Sequence, residues 1–172
     1  MVSRALSVCE GAFATIAALL VSCQACAGNE YVNATFCYRI VQPEAVSHVT
    51  VNHDGSGIAM DVGHPCEPHA CARLSISASY TWGADKASDA YRDALKQGWV
   101  LKATEEKRMP GAVWVEHLMN RGDGWLDLYE TSRREDQARY ALRVQFATAQ
   151  SVAARRAALE VLDSWRWLST CR

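Results

Sequence analysis

Arg73-Leu74-Ser75-Ile76-Ser77-Ala78-Ser79-Tyr80 alternates residue by residue between polar and apolar side chains. Successive side chains of a strand point to opposite faces, so this stretch predicts one wet face and one packed face, as in an antiparallel sheet. The same period runs outward in both directions. Upstream, Phe36, Tyr38 and Ile40 share a face of a first segment. Val49 and Val51 belong to a second, which ends at the turn Asn52-His53-Asp54-Gly55, and Ile58, Met60 and Val62 form the return strand of a hairpin. Downstream, Trp99 to Glu105 passes through Met109-Pro110-Gly111-Ala112 into Ala112 to Met119, with Pro and Gly at the central positions a type II turn prefers. Arg121-Gly122-Asp123-Gly124 then turns the chain into Trp125 to Thr131. After the charged loop Arg133 to Gln137, Tyr140, Leu142, Val144 and Phe146 point inward while Arg139, Arg143 and Gln145 face water.

Two stretches carry the helical period instead. Asp85 to Gln97 places Ala87, Ala90, Tyr91, Ala94 and Leu95 on one side, with Asp85 or Ser88 as its cap and Gly98 just past its end. Ser151 to Leu168 carries the stripe Ala154, Ala158, Val161, Leu162, Trp165 and Leu168. The expected fold class is α+β, an antiparallel sheet with a central helix and a C-terminal helix packed on it.

Gln97-Gly98-Trp99, the meander after it and the closing Leu162-Asp163-Ser164-Trp165-Arg166-Trp167 resemble the PsbP-like family, small α/β/α domains of photosynthetic proteins and bacterial secreted lipoproteins. The resemblance runs from about Asp85 to Leu168. It implies an α/β/α sandwich, a closing helix over Leu162 to Trp167 and a non-enzymatic binding domain. Among exported bacterial relatives it leads, by analogy, to immunity proteins that neutralise toxins delivered by type VI secretion.

Residues 1–27 read as an export signal. Arg4 lies near the start and Ala12 to Val21 forms an apolar run, shorter than the about 20 residues that span a bilayer. Two processing routes stay open. Leu20-Val21-Ser22-Cys23 resembles a bacterial lipobox, which implies lipid on Cys23 and, with Gln24 rather than Asp following, sorting to the outer membrane. The other is a signal peptide cut after Ala25-Cys26-Ala27. Either leaves one α+β domain, taken as residues 28–172. The leader removes Arg4 and Glu10 together, so the net charge of −1 persists. A chain so balanced has no field to hold nucleic acid or an anionic membrane surface, and neither is an expected partner; any membrane attachment would come through a lipid anchor.

The chain has seven cysteines. Cleavage after Ala27 leaves Cys37, Cys66, Cys71 and Cys171, which allow three pairings that sequence does not choose among. The arrangement we expect is Cys66 with Cys71 as a small clip and Cys37 with Cys171 tying the C-terminus to the first strand. The larger loop would contribute on the order of 4–5 kcal/mol in the chain-entropy model. His64, Cys66, His69 and Cys71 also place four zinc-ligand types within one loop. Pro65 and Pro68 stiffen it into a spacing unlike the usual ligand pairs, and outside the cytoplasm oxidation of the two thiols is the expected fate.

Trp125, Asp127 and Tyr129 share the strand face opposite Leu126 and Leu128, and are the candidate protein-binding residues if no helix covers them. Arg121-Gly122-Asp123 spells an integrin-type tripeptide but also what a hairpin turn requires, and Asn33-Ala34-Thr35 matches a glycosylation acceptor. Glu116 and His117 adjoin on one strand and so point apart, which removes them as a neighbouring acid–base pair. No nucleophile elbow, zinc-protease helix or phosphate-cradling loop occurs, and no catalytic residue or cofactor is expected. The function expected is an exported, periplasmic immunity-type inhibitor that binds a toxin or enzyme. The alternative is an envelope lipoprotein with a structural or assembly role.

Overall fold

The computed structural model describes residues 30–63, 71–80, 90–135 and 137–169. The alternation at Arg73–Tyr80 forms β5 (Ala72–Tyr80), with Leu74, Ile76 and Ala78 buried. Before it come β1 (Glu30–Asn33), β2 (Tyr38–Val41), β3 (Val46–Val51) and β4 (Gly57–Val62). After it come β6 (Val100–Arg108), β7 (Val113–Arg121), β8 (Gly124–Arg133) and β9 (Ala138–Ala147). β3 to β9 make a seven-stranded sheet in the order β3-β4-β5-β9-β8-β7-β6, antiparallel at every step. The β5–β9 register sets Leu74 against Val144, Ile76 against Leu142 and Ala78 against Tyr140, so apolar residues meet across the ladder. Tyr80 departs from the pattern. It lies at the strand end, exposed, where its ring stacks on Phe36 at 4.7 Å and its hydroxyl donates to the Thr35 carbonyl.

Turn chemistry explains the hairpins. Gly55 at φ 70° closes β3–β4, where the Asn52 amide donates to Gly57 O at 2.9 Å. Gly122 at φ 59° opens the two-residue loop between β7 and β8, the position where a hairpin of this length favours glycine. Gly111 corrects the expectation of a type II turn, since its φ lies outside the left-handed range that turn needs. It is glycine for another reason: a Cβ there would overlap the backbone carbonyl of Trp165.

The first helix, α1 (Ala90–Lys96), ends in a Schellman motif. Gly98 takes φ 85°, the Gly98 amide donates to Leu95 O and the Trp99 amide to Ala94 O. The expected start at Asp85 lies outside the described residues. α1 packs with Trp99 on the sheet face formed by Met119, Leu126, Leu128 and Ala141. A 3-10 turn at Thr148–Gln150 leads into α2 (Ser151–Ser164), whose Ala154, Ala157, Ala158, Val161 and Leu162 are buried against the opposite face. The sheet therefore lies between two helices, although strand far exceeds helix. Tyr31–Arg172 forms one compact unit. No helix among the described residues is long and apolar enough to cross a membrane.

The expected helix to Leu168 stops at Ser164. Trp165 turns extended at ψ 127°, and β10 (Arg166–Trp167) pairs with β2, giving a second sheet ordered β1-β2-β10. Packing overrides helical period here. Trp165 stacks on Tyr38 at 4.4 Å and meets Trp114 edge-on at 5.0 Å, while Trp167 sits 4.9 Å from Tyr140, with Arg166 between them pointing out.

Candidate binding cleft

Alternation brings Glu105 and Lys107 of β6, Glu116 of β7, and Asp127 and Tyr129 of β8 to the α2 face of the sheet. α2 lies mainly over β9, β5, β4 and β2. The β6–β7 side stays open, forming a cleft of about 300 Å³ between these strands and the Arg155 and Leu159 side chains.

The polar groups along this cleft form closed pairs. Lys107 Nζ lies 3.0 Å from Glu116 Oε2 and 3.2 Å from Glu105 Oε2. The Tyr129 hydroxyl donates to Glu116 Oε1 at 2.8 Å. Arg155 Nε reaches down from α2 and donates to Asp127 Oδ2 at 3.0 Å. Asp127 is 0% exposed, and its Oδ1 has no partner among the described residues. Burial pushes the Asp127 carboxyl above the ordinary aspartate range, against the opposing pull of Arg155. The hydrogen bond to Glu116 holds the Lys107 ammonium above its usual range, and burial, reinforced by Glu116, pushes the Tyr129 phenol far up. Such a set clamps helix to sheet and offers a mixed-charge rim to a ligand.

This geometry corrects the reading of Trp125, Asp127 and Tyr129 as a protein-binding surface. The three do share the face opposite Leu126 and Leu128, but α2 comes down on it. Arg155 closes on Asp127, Tyr129 is 2% exposed, and half-buried Trp125 donates its indole N–H to Thr148 Oγ1 at 3.3 Å. β8 lies inside the sheet with a helix on each face, which alternation within the strand does not reveal. Arg143 is another correction. Rather than facing water it is partly covered by α1, donating to the Ala90 carbonyl at 3.2 Å.

Glu116 and His117 do point apart. Glu116 belongs to the cleft, whereas the His117 ring stacks on Tyr91 of α1 at 4.4 Å, 3.5 Å from Glu130 Oε2. The Arg121-Gly122-Asp123 tripeptide is the hairpin turn itself, with Arg121 donating to Gln97 O and lying over the Trp99 ring. Asn33 is buried, and its side chain donates to Gly55 O while accepting from the Phe36 amide, a structural role that leaves no room for a glycan. Cys37 and Cys71 are both disulfide-bonded. Cys23, Cys66, Cys171, His64 and His69 lie outside the described residues. Lys107 and Arg155 escaped the sequence reading. Their signal was available in the shared parity of Glu105 and Lys107 on β6, but helix placement decides which strand Arg155 meets.

No protein-family model matches this chain, and neither does any curated protein. Among solved structures it is similar to the solution structure of cyanobacterial PsbP (CyanoP) from Synechocystis sp. PCC 6803, at 14% identity over 94% of this chain and 98% of that one, with a TM-score of 0.54. It also matches PA94, a protein of unknown function from Pseudomonas aeruginosa, at 18% identity over 71% of this chain and 88% of that one, with a TM-score of 0.40. The cyanobacterial likeness shows a PsbP-like fold.

Proposed function

We propose that this chain is an exported, non-enzymatic binding protein, read best as an immunity-type inhibitor that neutralises a toxin or enzyme in the periplasm. The observation that carries this reading is the engagement of the cleft's ionisable groups with one another. Asp127 is held by Arg155 and Glu116 by Lys107 and Tyr129, an arrangement suited to fixing the exposed side chains of Glu105 and Arg155 along the cleft rim rather than to exchanging protons. Bonded Cys37 and Cys71 support maturation under oxidising conditions. The test is protection. Cells producing a candidate periplasm-directed toxin should survive when the chain carries residues 1–27 and die when it does not, and the purified pair should form a stoichiometric complex. Death in both cases, with no complex, overturns the proposal.

Leu20-Val21-Ser22-Cys23 followed by Gln24 favours a second reading, an envelope lipoprotein anchored to the outer membrane through Cys23 with a structural or assembly role. Cys23→Ser should then move the protein from the membrane to the soluble fraction and remove the acyl mass. An unmodified mature N-terminus at residue 28 sinks it.

A further inference from the structure

The internal pairs of the cleft beside α2 leave hydrogen-bonding capacity unspent. Arg155 gives its Nε–H to Asp127 Oδ2, and its guanidinium makes no other hydrogen bond among the described residues. Asp127 is 0% exposed and its Oδ1 has no partner there, so the contact is a single bond and the Nη1–Nη2 edge of Arg155 is free. A buried carboxylate held by one N–H is costly to keep. Its effect is to fix the orientation of a planar fork that is itself 48% exposed and lines the cleft. The strand wall has the opposite balance. Glu105 and Glu116 share one ammonium, that of Lys107, which leaves a surplus of one carboxylate, and Glu105 is the more exposed of the two at 68%.

Sheet register sets an apolar floor between these two walls. Ala103, Leu118 and Asp127 lie in one row across β6, β7 and β8, and Glu105, Glu116 and Tyr129 form the next row on the same face. Ala103 and Leu118 therefore adjoin the Glu105–Glu116 row along the strands and the Asp127–Arg155 pair across them, and Leu159 of α2 lines the same space. Acceptor, donor fork and apolar floor converge on one cavity of about 300 Å³, at the small end of ligand pockets.

We propose that this cleft binds a free α-amino acid with an aliphatic side chain. The ligand carboxylate accepts from the Nη1–Nη2 edge of Arg155 as a bidentate pair, its ammonium donates to Glu105 beside Glu116, and its side chain lies on Ala103, Leu118 and Leu159. The three groups of such a ligand branch from one carbon, as the three surfaces of the cleft meet at one corner of the register. A bare carboxylate meets the surplus negative charge of the strand wall, and a bare amine leaves the Arg155 fork unused, so neither half suffices alone. The site goes beyond the inhibitor reading and stands without it: a chain that protects against no toxin still binds the amino acid.

Titration of the mature protein with L-leucine at neutral pH, followed by nitrogen–proton correlation NMR, should shift Ala103, Leu118, Leu159 and the Arg155 Nε–Hε signal along one saturating curve. Isocaproate, which lacks the ammonium, and L-leucinamide, which lacks the carboxylate, should each bind about tenfold more weakly or worse, the loss of one charged contact. Glu105→Gln and Arg155→Lys should weaken leucine by a similar factor with unchanged circular dichroism, the second because it keeps a cation for Asp127 and removes only the fork. Leucine that saturates none of these signals overturns the proposal. So does leucine that binds no more tightly than its two truncated analogues, or that binds both variants as it binds the wild type.

Discussion

Gly111 and the carbonyl of Trp165 meet so closely that no side chain fits between them. The turn joining β6 and β7 is thereby packed onto the end of α2, at the point where the chain leaves the helix. Gly111→Ala must displace the Trp165 backbone, and with it a ring stacked on Tyr38. The expected loss of stability is about 1–3 kcal/mol, measured by urea denaturation. Gly55→Ala is the comparison, since open space surrounds that glycine and only its positive φ opposes the change.

Asp127 should titrate above an ordinary aspartate, by NMR, because burial disfavours its charge. For an acid whose native pKa is raised, the folded state holds the proton more tightly than the unfolded one between the two values. Asp127's contribution to stability therefore falls as pH rises from the ordinary aspartate value through the native one. Arg155→Ala removes its cation and should cost up to about 3 kcal/mol at neutral pH, below the full cost of breaking a buried pair because Arg155 is itself half exposed. Adding Asp127→Asn to that variant should recover most of the loss.

Tyr38 and Tyr129 are held far above the ordinary phenol range, chiefly by burial. In the unfolded chain both ionise near pH 10, so their contribution to stability is lost as pH climbs beyond that value. Absorbance of tyrosinate should show a component, Tyr38 and Tyr129 within it, that ionises only together with the loss of circular dichroism. Smooth titration of all six tyrosines in the folded protein would contradict the assignment.

The Leu168 amide donates to Cys37 O at 2.9 Å, which brings the chain three residues before Cys171 alongside Cys37. Val62 opposite Ala72 likewise brings together the ends of the segment containing Cys66, beside Cys71. The proposed bridges are therefore Cys37–Cys171 and Cys66–Cys71, to be read by non-reducing peptide mapping. Cys171→Ser should lower stability by about 2–5 kcal/mol. A peptide linking Cys37 to Cys66 would refute the scheme.

Strong local chemistry made much of this fold legible. The alternation of Arg73–Tyr80 and Tyr140–Phe146, the glycines at 55, 98 and 122, and the alanine stripe of α2 each specify their element within a few residues. The alternation of Tyr38 and Ile40 announced β2, but not its separate sheet with β1 and β10, because strands of two and four residues carry too little pattern to fix their partners. Trp165 fits the helical stripe equally well, and only its stacking on Tyr38 decides for an extended chain. In the cleft, the parity of Glu116, Asp127 and Tyr129 was readable. Their burial was not, since it depends on where α2 crosses the sheet.

The pairing of β10 with β2 joins the last described strand to one of the first. A polypeptide emerging from its N-terminus can fold most of the large sheet early, yet the small one must wait until Arg166 and Trp167 have emerged. Until then Tyr38 lacks its stacking partner and the β2 margin is bare, leaving a nascent species for which a chaperone would have its longest opportunity.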